Sequence, residues 1–134
     1  MRAPFLALAL ASPGLTWSSS ADTDALVTKG RIKVQLFAAP AFVSEVSVDA
    51  YNAQCLSLDN NLIDGRVQSL LVGGHDVATV LQRDDYWTCQ FYDNYECKQS
   101  QSGDALTIPD GANNLASIGW GTRIQSLKCT NFAV

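Results

Sequence analysis

Residues 75–76 set the chain's one histidine beside a carboxylate, His75-Asp76, and serines are plentiful. A Ser-His-Asp hydrolase needs more than composition: its serine sits in a setting that exposes and activates the hydroxyl, as G-x-S-x-G does. No such setting occurs, and Gly73-Gly74 before His75 reads as a solvated loop. Acids pair at Asp84-Asp85 and again at Asp93 and Glu96. A glycosidase holds two carboxyls about 5–10 Å apart across a cleft, whereas acids at strand starts and hairpins are solvated turn residues. Four cysteines, Cys55, Cys89, Cys97 and Cys129, lack the close C-x2-C pairs of a zinc site, and His75 is remote from all of them. An even count in an oxidising compartment reads as two bridges. The stretch DDYWTCQFYDNY gathers aromatics. Tyr92 and Trp87 fit a core, while Tyr86 and Tyr95 are the ones expected to face out and bind. The expectation is a protein without enzymatic activity, with a small sugar-active hydrolase as the remote alternative.

Elements that position these groups begin after an address label. MRAPFLALALASPGLTWSSSADT has one early charge, Arg2, an apolar run to Leu15 broken by Pro13-Gly14, and then small residues. That is a secretory signal peptide, residues 1–21, cut after Ser20 or Ala21 and too short to span a bilayer. Residues 22–30 follow as a polar, mobile leader. Roughly 113 of the 134 residues remain, enough for one domain with one core. The formal charge of −4 comes with scattered basic residues, which excludes nucleic acid as a partner. No second apolar stretch follows, so no membrane is expected after signal removal.

From Arg31 onward the pattern is short strands. IKVQLFA, SEVSVDAY, CLSL, RVQSLLV, VATVLQR, WTCQFYD, ALTI and RIQSLKC alternate or are β-branched. Between them lie turn residues such as Asp59-Asn60-Asn61, Asp64-Gly65, Gly73-Gly74, Ser102-Gly103-Asp104 and Pro109-Asp110-Gly111. NNLASIGW has room for one short helix. GRVQSLLV (65–72) returns as TRIQSLKC (122–129), VQLFAAPAF (34–42) lies over CQFYDNYEC (89–97), and CLSL (55–58) lies over ALTI (105–108). Two such units, about 31–72 and 87–130, joined by VGGHDVATVLQRDD, close one core that neither could close alone.

This arrangement resembles the βγ-crystallin superfamily, whose domain pairs two four-stranded Greek keys. Phe37-x4-Phe42 and Tyr92-x4-Cys97 stand at its aromatic hairpin signature. Asp64-Gly65-Arg66-Val67-Gln68-Ser69 and Gly121-Thr122-Arg123-Ile124-Gln125-Ser126 stand at its closing-strand motif. The cysteine pattern is especially similar to small secreted fungal members. The resemblance implies an all-β, disulfide-stabilised βγ-crystallin-like sandwich over residues 31–134. The family's hairpin normally carries Gly two residues after the second aromatic, where φ is positive; here Ser44 and Gln99 stand there.

Three cysteine pairings exist, and the resemblance implies Cys89–Cys129 as strand neighbours and Cys55–Cys97 as a link between units. Cys55–Cys129 with Cys89–Cys97 stays open. The resemblance also implies a calcium module as an alternative, with Asp64, Gln68 and Ser69 as first-site ligands. The second site offers Gly121, Thr122, Gln125 and Ser126 and no carboxylate, far short of the charged oxygens calcium takes. The main expectation is no cofactor. Superfamily relatives include calcium-binding proteins, a metalloproteinase inhibitor and killer-toxin-like proteins. They imply a secreted small binding protein, effector-, toxin- or inhibitor-like, acting on an extracellular protein or glycan.

Overall fold

In the computed structural model, residues 25–99 and 105–134 are described. The expected signal peptide, residues 1–21, and the turn expected at Ser102-Gly103-Asp104 lie outside them. Among the described residues eight strands occur: β1 (Arg31–Ala39), β2 (Val43–Tyr51), β3 (Gln54–Ser57), β4 (Ser69–Val72), β5 (Trp87–Tyr92), β6 (Ala105–Ile108), β7 (Gly111–Ala112) and β8 (Ser126–Asn131). They form two antiparallel sheets, ordered β2-β1-β4-β7 and β3-β8-β5-β6. Each unit therefore lends its third strand to the other's sheet: β3 pairs with β8, and β7 pairs with β4. The two Greek keys cannot be pulled apart without breaking both sheets.

Alternation explains the core. Ile32, Val34 and Leu36 of β1 point inward with Leu70 and Val72, and meet Trp87, Cys89, Phe91, Leu127 and Cys129 of the other sheet. All belong to one buried cluster, closed at the loops by Leu58, Ile63, Val67, Leu115, Trp120 and Ile124.

The repeated line has a structural meaning. Val67 and Ile124 are both fully buried. The Gln68 amide donates to the Phe37 carbonyl at 2.7 Å, and the Gln125 amide to the Tyr92 carbonyl at 2.8 Å. The Gln68 carbonyl accepts from the Leu115 amide, and the Gln125 carbonyl from the Leu58 amide, both at 2.9 Å. The Ser69 and Ser126 hydroxyls each accept from a hairpin amide, Phe42 and Cys97 respectively, at 3.1 Å. Gly65 and Thr122 share a left-handed backbone, φ 71° and 61°, as do Phe42 and Cys97, φ 65° and 53°. In each unit, Q-S-L thus bonds the first strand, latches the hairpin and fills the core. Phe37 and Phe42 meet edge-on at 5.4 Å.

Three sequence expectations are corrected. VATVLQR is not a strand. Asp76 N-caps a helix, α1 (Val77–Leu81), by accepting from the Thr79 amide at 2.8 Å, and a side-chain cap outweighs β-branched propensity over so short a run. The short helix expected in NNLASIGW is present as a 3-10 helix, Leu115–Ile118. ALTI is the second strand of its unit, pairing with β5, so its counterpart is β2; the counterpart of CLSL is the two-residue β7. Residues 25–30, placed in the mobile leader by sequence, are bonded to the sandwich instead. The Leu26 carbonyl accepts from Lys33, Thr28 from the Trp87 indole at 3.0 Å, and Lys29 from the Asn131 amide group. Ser44 does take the left-handed conformation, φ 66°, without being glycine.

Two disulfides form: Cys55–Cys97 links the two units, and Cys89–Cys129 joins neighbouring strands of the second. Cys89 and Cys129 have no exposed surface, whereas Cys55 is exposed. Exchange needs a thiolate to reach a sulfur. Mild reductant on the folded protein is therefore expected to open Cys55–Cys97 alone. Alkylation and mass spectrometry should count two free thiols in native buffer and four only after denaturation. Four thiols in native buffer would contradict this burial.

Candidate functional site

The residues with chemical potential are mostly committed to holding the fold. His75 lies on the linker with Nδ1 3.3 Å from the Gln35 side-chain nitrogen, and Asp76 beside it is spent capping α1, which holds its carboxyl below the usual range through the Thr79 amide and hydroxyl. Asp93 pairs with Arg123 at 3.0 Å, and Arg123 stacks over Trp120 at 4.3 Å. Among the described residues, a hollow of about 200 Å³ is lined by two acids, Asp85 and Asp110. Asp85 gives both oxygens to Arg83 and accepts from the Trp87 amide as well. The Arg83 hydrogen bonds hold its pKa low despite partial burial; a general acid needs the opposite shift.

Arg83, one of the scattered cations of the sequence, is the junction of the molecule. Its five N–H groups are all engaged: Nε and one Nη2 bond with Asp85, Nη1 with the Val72 and Pro109 carbonyls, and Nη2 with the Trp87 carbonyl. Val72 ends β4, Pro109 follows β6 and Trp87 opens β5, so one side chain ties linker to both units. Gly73 admits it, because a Cβ there would stand 2.8 Å from the Arg83 Cδ at a φ of 78°.

The first closing motif lines a polar hollow of about 350 Å³ formed by Ala38, Asp64, Gly65, Arg66, Gln68 and Thr122. Tyr95 reaches into this region from the other unit's hairpin. Its hydroxyl donates to Asp64 Oδ2 at 2.6 Å and accepts from Gln125 Nε2 at 3.3 Å. The bond to Asp64 raises the phenol pKa. Asp64 Oδ1 is buried without a partner. The donor set fits calcium poorly. One carboxylate is present and half used, Ser69 Oγ is consumed by Phe42 and Ala39, and Arg66 brings positive charge to the same hollow. Among the described residues, no three His, Cys, Asp or Glu cluster for a metal. Of the calcium residues read from sequence, Asp64 and Gln68 share the hollow and Ser69 is turned to the hairpin.

The two tyrosines singled out for binding part company. Tyr95 is half-buried and hydrogen-bonded to Asp64. Tyr86 is 66% exposed, and beside it Phe132 is 72% exposed, its amide donating to the Tyr86 carbonyl at 3.0 Å. Tyr51, also exposed, ends β2 next to Asn52, whose side chain accepts from the Asn131 amide. Three open aromatics therefore share the end of the sandwich opposite the hairpins. Phe132 was missed because nothing in a C-terminal TNFAV signals that its register continues the β5–β8 ladder past Trp87 and Asn131.

Protein-family models and curated proteins yield no match to this sequence. A search of solved structures does. The chain is similar to a structure titled "Evolution of the eye lens beta-gamma-crystallin domain fold", at 10% identity and a TM-score of 0.54, covering 79% of this chain and 92% of that one. At such identity the likeness shows the fold: a βγ-crystallin-like sandwich of two Greek keys with two disulfides.

Proposed function

We propose that this chain is a secreted, non-enzymatic binding protein of the βγ-crystallin superfamily, similar to its small secreted fungal members, that engages an extracellular partner through its aromatic end. The observation that carries the reading is the pair Tyr86 and Phe132, large rings left open to solvent on backbone that the β5–β8 ladder holds rigid. Rigid aromatic rings give contact area at little entropic cost. Two bridges suit an oxidising, extracellular setting. Asp76 is spent as a cap, and Asp85 and Asp93 are paired with arginines, which favours binding over hydrolysis.

The test compares oxidised wild-type protein with Tyr86→Ala/Phe132→Ala in capture from extracellular protein and glycan fractions. A partner retained by wild type and lost at least tenfold by the variant supports the reading. Equal retention by both overturns it.

Calcium is not required for this reading. Calorimetric titration is expected to show no heat and no rise in melting temperature. Tyr95→Phe is expected to lower the melting temperature, because it leaves both Asp64 oxygens without a donor. A calcium-dependent rise of several degrees in the wild type would revive the metal alternative.

A further inference from the structure

The two outer sheet faces are treated differently. The first sheet's outer face is covered: Gln35, Phe37 and Leu71 are buried there, and Val80 of α1 packs on Phe37 and Leu71. No described element crosses the middle of the other one. Inward positions on β5 and β8 are Trp87, Cys89 and Phe91 with Leu127, Cys129 and Asn131. The alternate positions form a ladder on the outside. Tyr86 and Phe132 make its first rung, Thr88 and Thr130 the second, and Thr107, Gln90 and Lys128 the third.

We infer that this ladder is a binding face for a neutral polysaccharide chain, an inference that rests on the reading of the protein as an extracellular binder and names its ligand class. Rungs on one face of a strand repeat about every 7 Å and neighbouring strands lie about 4.8 Å apart, which lays hydroxyl, amide and ammonium groups over a flat area. Among the described residues, none hydrogen-bonds the side chains of Thr88, Thr107, Lys128 or Thr130. Gln90 is held by the Tyr92 hydroxyl, which donates to its Oε1 at 2.8 Å and leaves the amide nitrogen to donate outward. Threonine hydroxyls both give and accept hydrogen bonds, as sugar hydroxyls do, and the aromatic rung offers ring faces to the apolar side of a sugar.

Charge selects among ligands. The rungs contain no carboxylate and one cation, Lys128. One lysine is too little for nucleic acid, whose binding scales with the phosphates neutralised. A threonine-and-lysine surface is also unlike the core of a protein interface, which is rich in aromatics, Met and Arg and poor in Lys. A neutral, hydroxyl-rich chain matches both the aromatic rung and the polar ones. At the far end the face is closed by Tyr92, which is buried.

Depletion isotherms of the oxidised protein on insoluble cellulose, chitin and a β-1,3-glucan test this. Retention on at least one of them is expected, little changed by raised salt. It should fall at least tenfold in Tyr86→Ala/Phe132→Ala and at least threefold in Gln90→Ala/Lys128→Ala. Thr88→Glu is a second variant that adds charge to the face without touching the core, and should also lose at least tenfold. No retention on any of the three solids overturns the inference, as does retention that the ladder variants leave unchanged. If the aromatic variant loses an extracellular protein partner while no polysaccharide retains the wild type, the broader binding reading survives and this one falls.

Discussion

Replacing Arg83 with Met is expected to lower stability by about 3–5 kcal/mol, a fall in melting temperature of roughly 15 °C or more for a domain of this size. Methionine keeps much of the volume but removes every donor. The Val72, Pro109 and Trp87 carbonyls lose their bonds to this side chain, and Asp85 keeps only the Trp87 amide. The Arg83 side chain is 10% exposed and that of Asp85 25%, so water replaces little of what is lost. Arg83→Lys should recover only a minor part, since an ammonium cannot reproduce a fork that addresses four groups at once. Acid gives a second readout. Arg83 depresses the Asp85 pKa in the folded state. The stability this confers is therefore complete above the ordinary aspartate range and is lost as pH falls through the lower folded value, from about pH 4 downward. The Met variant should lack that component. A loss under about 1 kcal/mol, measured by urea unfolding at neutral pH, would show that the hub is not one.

Converting Cys89 and Cys129 together to Ala is expected to cost about 4 kcal/mol from chain entropy alone, because the bridge closes a loop of 40 residues. Both sulfurs lie in the fully buried core beside Phe91 and Leu127, so their removal also leaves space that the packing fills only in part. The loop closed by Cys55–Cys97 is similar, at 42 residues, but Cys55 is exposed and loss of this bridge should add a smaller cavity term. The double variant at 89 and 129 should therefore unfold at lower urea than the one at 55 and 97. The reverse order would mean that constraint of the hairpin, and not core packing, separates the two bridges.

Several features were legible because they depend on residues near in sequence or on pattern. Alternation in IKVQLFA and WTCQFY marks strands whose inward residues fill the core, and the doubled Q-S-L reports two equivalent latches before any coordinate is known. The Phe42–Cys97 correspondence holds to the level of backbone sign. Other features were opaque for identifiable reasons. A capped single turn of helix in VATVL looks like a strand because its valines suit both, and only the Asp76 bond to Thr79 decides. β7 is invisible because Gly111–Ala112 has no strand propensity; its pairing is set by β4, where a Gly111 Cβ would stand 2.7 Å from the Leu70 carbonyl oxygen. Tyr95 and Tyr86 are alike in sequence, yet one is tied to Asp64 from the other unit and the other is open.

By itself the sequence determined an all-β chain of two matched halves, because side-chain periodicity and the left-handed turn positions are properties of short stretches. Only the tertiary structure decided that the halves exchange their third strands, that Arg83 joins them, that Tyr95 closes over Asp64, and that, among the described residues, one outer sheet face is covered while the other is open. Each of these rests on groups tens of residues apart, whose meeting is fixed by the packing of the shared core and not by any local preference.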